Sequence, residues 1–196
     1  MESYDINVAT LQQINGRSYV KLSNVLRDQK AFLNIKSYDD QCFAKSITEQ
    51  IFSRNRKVAN RDNDELKRNM KKLNWKGIEF PADPVKASKM FETNNPGYAI
   101  NVYGYDDTVK DEDDKYSIQR ISDKILDPKI KIINLLLYSN AETNHYVIIK
   151  NMSRTFRSLV TKFKQACAIC YNCYKPCKRI GFEGTSIFFL IYFLFT

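Results

Sequence analysis

The sequence predicts an α+β fold with an antiparallel or mixed sheet. Three observations carry this. Apolar residues recur near helical spacing in the first half, at 43, 47, 51 and 52 and again at 85, 87, 90 and 91. The second half turns to alternating or continuous apolar runs, the mark of strands. Helices and strands do not alternate as strict βαβ units, which argues against a doubly wound parallel sheet.

Taken in order, Ser18-Tyr19-Val20-Lys21-Leu22 alternates after the turn at Asn15-Gly16 and reads as a strand, as does Ala31-Phe32-Leu33-Asn34-Ile35. The polar run from Lys36 to Gln41 breaks the second of these. A helix follows over 42–52, with Asp39 or Asp40 available to cap it. Asp62-Asn63-Asp64-Glu65 opens a charged helix that continues through Met70 and Leu73. Trp75 to Pro81 reads as a compact turn holding a buried Trp. Pro84 near the start of 83–91 suits the first helical position. Strands are then expected at 99–105, 116–121, 132–138 and 145–150, with an acidic loop at 106–115 and a hairpin-length loop at 139–144. The nearly continuous run Ile132-Ile133-Asn134-Leu135-Leu136-Leu137-Tyr138 belongs at the centre of the sheet. A short basic helix is expected at 153–160.

Length and composition set limits. A chain of 196 residues with 43% apolar and 13% aromatic residues can build a core and is not of disordered type. The net charge of +9 is uneven: residues 151–196 hold seven Lys/Arg and one Glu, a net of +6. That basic end points to nucleic acid or another polyanion, or is merely a soluble basic tail. The start, Met1-Glu2-Ser3-Tyr4-Asp5, carries no secretory pattern, so an intracellular location, nuclear or cytoplasmic, is expected. The apolar tail 187–195 is nine residues, against the ~20 that a spanning helix needs, so no membrane span is expected. Three regions result: an α+β domain at 1–152, a basic Cys-rich segment at 153–180, and an apolar tail at 181–196.

Two constellations carry candidate chemistry. Cys42 is the sole cysteine of the first 166 residues and opens a helix; His145, the chain's one histidine, lies 103 residues later on a late apolar strand. A thiol at a helix N-terminus sits where unpaired N–H groups and the helix dipole favour a thiolate. A histidine on a neighbouring strand supplies the base that a thiol nucleophile needs. Asp39 or Asn151 is the candidate group to orient the imidazole, and backbone N–H groups around 40–42 are candidate oxyanion donors. The plain alternative is a core cysteine and a structural histidine. The second constellation is Cys167, Cys170, Cys173 and Cys177, whose CxxC steps suit a tetrahedral zinc site. Its spacing also approaches that of a bacterial iron–sulfur run, although here proline precedes the last cysteine. The alternative is four reduced cysteines without metal.

The strings themselves resemble a known family. Ser18 to Leu22, Lys30 to Ile35, Asp39-Asp40-Gln41-Cys42-Phe43, Trp75 to Pro81, Phe91 to Asn95, Ile100 to Tyr105, Ile133 to Leu137, His145 to Asn151 and Ser153-Arg154 follow one another as in the segment ahead of the polymerase core in the B-family DNA polymerases of Polinton/Maverick self-synthesising transposons. The resemblance covers roughly residues 15–175. That segment is itself similar to ovarian-tumour-type (OTU) cysteine proteases, with a nucleophile motif Asp-x-x-Cys and a late-strand His followed by an aromatic. Asp39, Cys42, His145 and Tyr146 match it. The resemblance implies a papain-like/OTU-like fold and a deubiquitinase-like activity on a ubiquitin-like or other protein substrate. The chain departs at Ala44-Lys45, where the family has a large apolar residue and Trp. It departs again after Cys170 and Cys173, where the family's His and further Cys do not follow, and it lacks the polymerase's exonuclease and palm motifs. A truncated transposon-polymerase fragment is therefore expected, not a polymerase. The alternative is a non-catalytic nucleic-acid-associated module with a zinc-binding basic segment at 150–180.

Overall fold

The computed structural model describes residues 19–52, 64–111, 114–160, 168–169 and 176–177. Their order is α1 (Asn24–Asp28), β1 (Phe32–Leu33), α2 (Cys42–Phe52), α3 (Asp64–Met70), α4 (Pro84–Asn94), β2 (Tyr98–Asp106), β3 (Tyr116–Arg120), β4 (Lys131–Ser139), β5 (Asn144–Ile149), α5 (Met152–Val160), β6 (Ala168–Ile169) and β7 (Pro176–Cys177). The fold is α+β around a five-stranded mixed sheet of order β1-β5-β4-β2-β3.

β4 occupies the centre, as its unbroken apolar run predicts. It pairs antiparallel with β5 through a short hairpin closing at Ser139↔Asn144. Its other neighbour, β2, runs parallel to it from Tyr98↔Lys131 to Asp106↔Ser139. The chain between them makes β3, which pairs antiparallel on the outer side of β2. At the opposite edge β1 contributes two paired residues, Phe32↔Ile149 and Leu33↔Ile148.

Each face of the sheet carries its own core. On the first lie Phe43 and Ile47 of α2, Leu66 of α3, and Ala87 and Phe91 of α4, set against Ile100, Val102, Ile133, Leu135, Tyr146 and Ile148. On the second, Leu26 of α1 and Phe156 of α5 pack on Tyr103, Tyr105, Leu136, Tyr138, Val147 and Ile149. Alternation along β5 sorts its residues: Tyr146 and Ile148 to the first face, Val147 and Ile149 to the second. Phe156 is fully buried, with ring centroids 5.2 Å from Tyr103 and 5.3 Å from Tyr116. The packed unit thus runs past residue 152, the edge expected from sequence.

The helices follow their local signals. Asp83 caps α4, its carboxylate accepting the N–H groups of Val85 and Lys86 at 3.0 and 2.7 Å, and Pro84 stands in the first turn. In α2 every residue from Cys42 to Thr48 is buried, and Leu66 of α3 joins the same core. The predicted strand at 18–22 is absent from residue 19 onward; the chain there is irregular and leads into the five-residue α1. Trp75 is half-buried, donating to the Met70 carbonyl at 2.8 Å and lying 4.9 Å from the Phe91 ring. No helix among the described residues is long and apolar enough to cross a membrane. The tail 181–196 lies outside the described residues.

Candidate active site

The site begins where β1 leaves β5. Tyr146, next to His145 on β5, directs its backbone polar groups towards α2: the Ser46 hydroxyl donates to its carbonyl at 3.1 Å, and its N–H faces the Cys42 sulfur. This is why a helix N-terminus lies against this strand edge, since buried backbone groups require partners. The Phe43 ring meets the Tyr146 ring edge-on at 5.0 Å, and the Tyr146 hydroxyl donates to the Ala82 carbonyl at 2.8 Å. Cys42 is thereby fixed beside the strand that carries His145.

His145 points the other way. It stands opposite Tyr138, a residue of the second core, and its ring lies on that face. There its Nε2 lies 3.0 Å from the Asn34 Oδ1, while the Asn34 amide nitrogen donates to the Val20 carbonyl at 2.7 Å. Among the described residues no hydrogen bond joins the Cys42 thiol to the imidazole. The two groups are neighbours through the backbone of β5, on opposite faces of it.

The residues expected to orient the imidazole are engaged elsewhere. Asp39 receives the Lys45 ammonium on both oxygens at 2.9 Å, the Ser37 hydroxyl at 2.8 Å and the Gln41 N–H at 3.0 Å. It locks the turn ahead of α2. Lys45, standing where the resembled family carries a Trp, is the reason: its side chain is 2% exposed and uses Asp39 to satisfy its charge. Asn151 caps α5, its side-chain oxygen accepting the Arg154 N–H at 2.9 Å. The residue that does hold His145 is Asn34, which sequence reading treated as an ordinary strand position. Its signal is a polar residue two positions after Phe32, where alternation turns it towards the core.

Electrostatics keep both reactive groups neutral at pH 7. Burial pushes the Cys42 thiol above its usual range; the N–H groups of Tyr146, Phe43 and Cys42 oppose this, while the Asp39 carboxylate adds to it. Burial pushes His145 down to about 4, against the opposing pull of the Ile35 carbonyl. Asp39 is itself held below the ordinary carboxylate range: burial raises it, but Lys45, Ser37 and the Gln41 N–H outweigh that. A neutral thiol and a neutral imidazole on separate faces can react as a pair only after the imidazole leaves Asn34 and the backbone at His145 shifts to bring it towards α2.

The cysteine cluster is only partly described. Cys167, Cys170 and Cys173 lie outside the described residues. β6 and β7 pair antiparallel with Ala168 opposite Cys177 and Ile169 opposite Pro176. Among the described residues no group of His, Cys, Asp and Glu is placed to hold a metal. No protein-family model, no curated protein and no solved structure matches the chain.

Proposed function

We propose that the chain carries a cysteine-peptidase-like domain of the papain-like/OTU-like class, derived from a transposon DNA polymerase and acting, where it acts, on a ubiquitin-like or other protein substrate inside the cell. The observation that supports this reading is the pairing of the sole histidine with Asn34 at 3.0 Å, one residue along β5 from the backbone N–H that faces Cys42. A thiol at a helix start, backbone N–H donors around it, and an imidazole oriented by an amide are the parts of a thiol-protease site. In the resting form they are held neutral and apart, which makes the domain latent. Activation then requires the end of β5 around residues 144–145 to shift, since the His145 Cβ points away from α2; the imidazole then takes the Cys42 proton, the thiolate attacks the scissile carbonyl carbon, and the imidazolium gives the proton to the departing amine.

The test is labelling of the full chain with a ubiquitin-type electrophilic probe, with the modified residue mapped by mass spectrometry. The expected result is slow modification at Cys42, lost in Cys42→Ala and reduced at least tenfold in His145→Ala. Equal labelling of Cys42 with and without His145 sinks the pairing.

A second reading, a nucleic-acid-associated module with a zinc-binding basic segment at 150–180, is favoured by one observation. The β6–β7 pairing sets Ala168, the residue after Cys167 in the chain, opposite Cys177. Paired strands that bring cysteines of such a cluster near one another are a common frame for tetrahedral zinc. One equivalent of zinc in the purified full chain, lost when Cys170 and Cys173 become Ser, is the expected result. A metal-free chain with all four thiols titratable rejects it.

A further inference from the structure

Beyond the thiol site, the second face of the sheet has an opening of its own. A cavity of about 280 Å³ lies between α1, β1 and the end of β5. Its floor is apolar, with Leu26 and Phe32, both buried. Its wall holds three cations, Arg27, Lys30 and Lys150, all exposed. No carboxylate lines it; Asp28, between two of these cations in the chain, is not part of the wall. Among the described residues none of the three cations is paired with an acid, although Arg27 donates one guanidinium N–H to the Asn24 side-chain oxygen. Lys30 reaches its position with a backbone φ of 51°, the left-handed region that a side chain with a Cβ rarely adopts, and is the one non-glycine residue to do so among those described. The cost of that conformation is local, and its result is a lysine set at the mouth of the cavity.

We propose that this cavity binds a small amphiphilic anion: a phosphate or carboxylate head held by Arg27, Lys30 and Lys150, with an apolar or aromatic body against Leu26 and Phe32. The chemistry follows from the lining. Cations without an acid partner around a concave site attract an anion, and charge-assisted bonds to guanidinium and ammonium groups are the strong ones. An apolar floor adds affinity for a hydrocarbon body that a bare ion does not have. Asn34 also lines the cavity, and its amide is already committed at both ends, to His145 and to the Val20 carbonyl. It is a wall that carries news of occupancy to the single histidine. The site does not depend on thiol chemistry, and its test leaves Cys42 untouched.

The experiment is a titration of the ¹⁵N-labelled full chain, followed by NMR, with phenyl phosphate, benzoate, inorganic phosphate and phenol. Saturable shifts are expected at the amides of Lys30 and Lys150, at the Asn34 side chain and at the His145 ring, for phenyl phosphate, benzoate or both. Whichever binds tighter identifies the head group. In a Lys30→Gln/Lys150→Gln variant, which shortens each side chain by one atom and removes its charge, the affinity falls at least tenfold while the unliganded His145 ring signal stays in place. Inorganic phosphate or phenol binding as tightly as phenyl phosphate overturns the proposal, since one half of the site is then unused. So does the absence of a saturable shift, or an unchanged affinity in the variant.

Discussion

Replacing Glu92 by alanine is expected to lower stability by about 3–5 kcal/mol, the range for breaking a buried ion pair from one side. Glu92 and Arg120 are 5% and 8% exposed. The guanidinium meets the carboxylate two-pronged, Nη1 to Oε1 at 2.7 Å and Nη2 to Oε2 at 2.9 Å. The same carboxylate accepts the Ile100 N–H at 2.7 Å, and Arg120 also donates to the Ile100 carbonyl. One pair therefore ties α4, β2 and β3 together. Glu92→Ala strands a buried cation and a backbone N–H, both costly without partners. The joint variant Glu92→Leu/Arg120→Met removes both charges and is expected to recover most of the loss, because the pair's own desolvation cost disappears with it. Urea denaturation gives the answer as a shift in midpoint at constant slope. A single-variant loss under about 1 kcal/mol would mean that the pair is hydrated in solution.

The second large effect is a loss of stability in acid that belongs to His145. The ring titrates near 6.5 when the chain is unfolded and at about 4 when it is buried. Between these values the unfolded chain binds a proton that the folded chain does not, so stability falls as pH drops from 6.5 towards 4. The gap amounts to about 3 kcal/mol, fully lost by the lower end of that window. Above pH 7 the ring is neutral in both states and contributes no slope. Carboxylates titrate in the same window, so the contribution of the ring is the difference between the native chain and His145→Gln. Denaturation at pH 7 and pH 4 is expected to show the native chain losing about 3 kcal/mol more than the variant. Parallel losses would place the ring in water and remove the case for its burial behind Asn34.

Much of the fold was legible because its signals are local. Asp83 and Pro84 announce α4, the period-2 runs announce β3 and β5, and the unbroken run at 132–138 puts β4 in the middle. The parallel pairing of β2 with β4 was not legible. Its register joins residues 33 apart, and nothing in either strand names its neighbour. The strand expected at 18–22 gave way to irregular chain and α1, since alternation over five residues is satisfied as well by a segment that buries Val20 and Leu22 without pairing.

The candidate site divides in the same way. That Cys42 opens a helix and His145 sits on a strand follows from local pattern. Which face of β5 the imidazole takes depends on pairing with β4, and which amide holds it depends on β1 lying alongside β5. Three residues before the cysteine, Asp39 suits by spacing alone either a helix cap or the group that orients the imidazole. Its partner, Lys45, is six residues on, within the buried first turns of α2.

The two-residue pairing of β1 has a consequence for how this corner is built. β5 reaches β4 across a sequence separation of five, Ser139 to Asn144, whereas Asn34 meets His145 across 111. Chain entropy makes the second closure costlier by about 3 kcal/mol, scaling with the logarithm of the separation. Only two β1 residues are paired there to offset it. The corner holding the imidazole is thus the costliest for the chain to close and the easiest to open, so the movement that the proposed peptidase reading requires would begin at this two-residue seam.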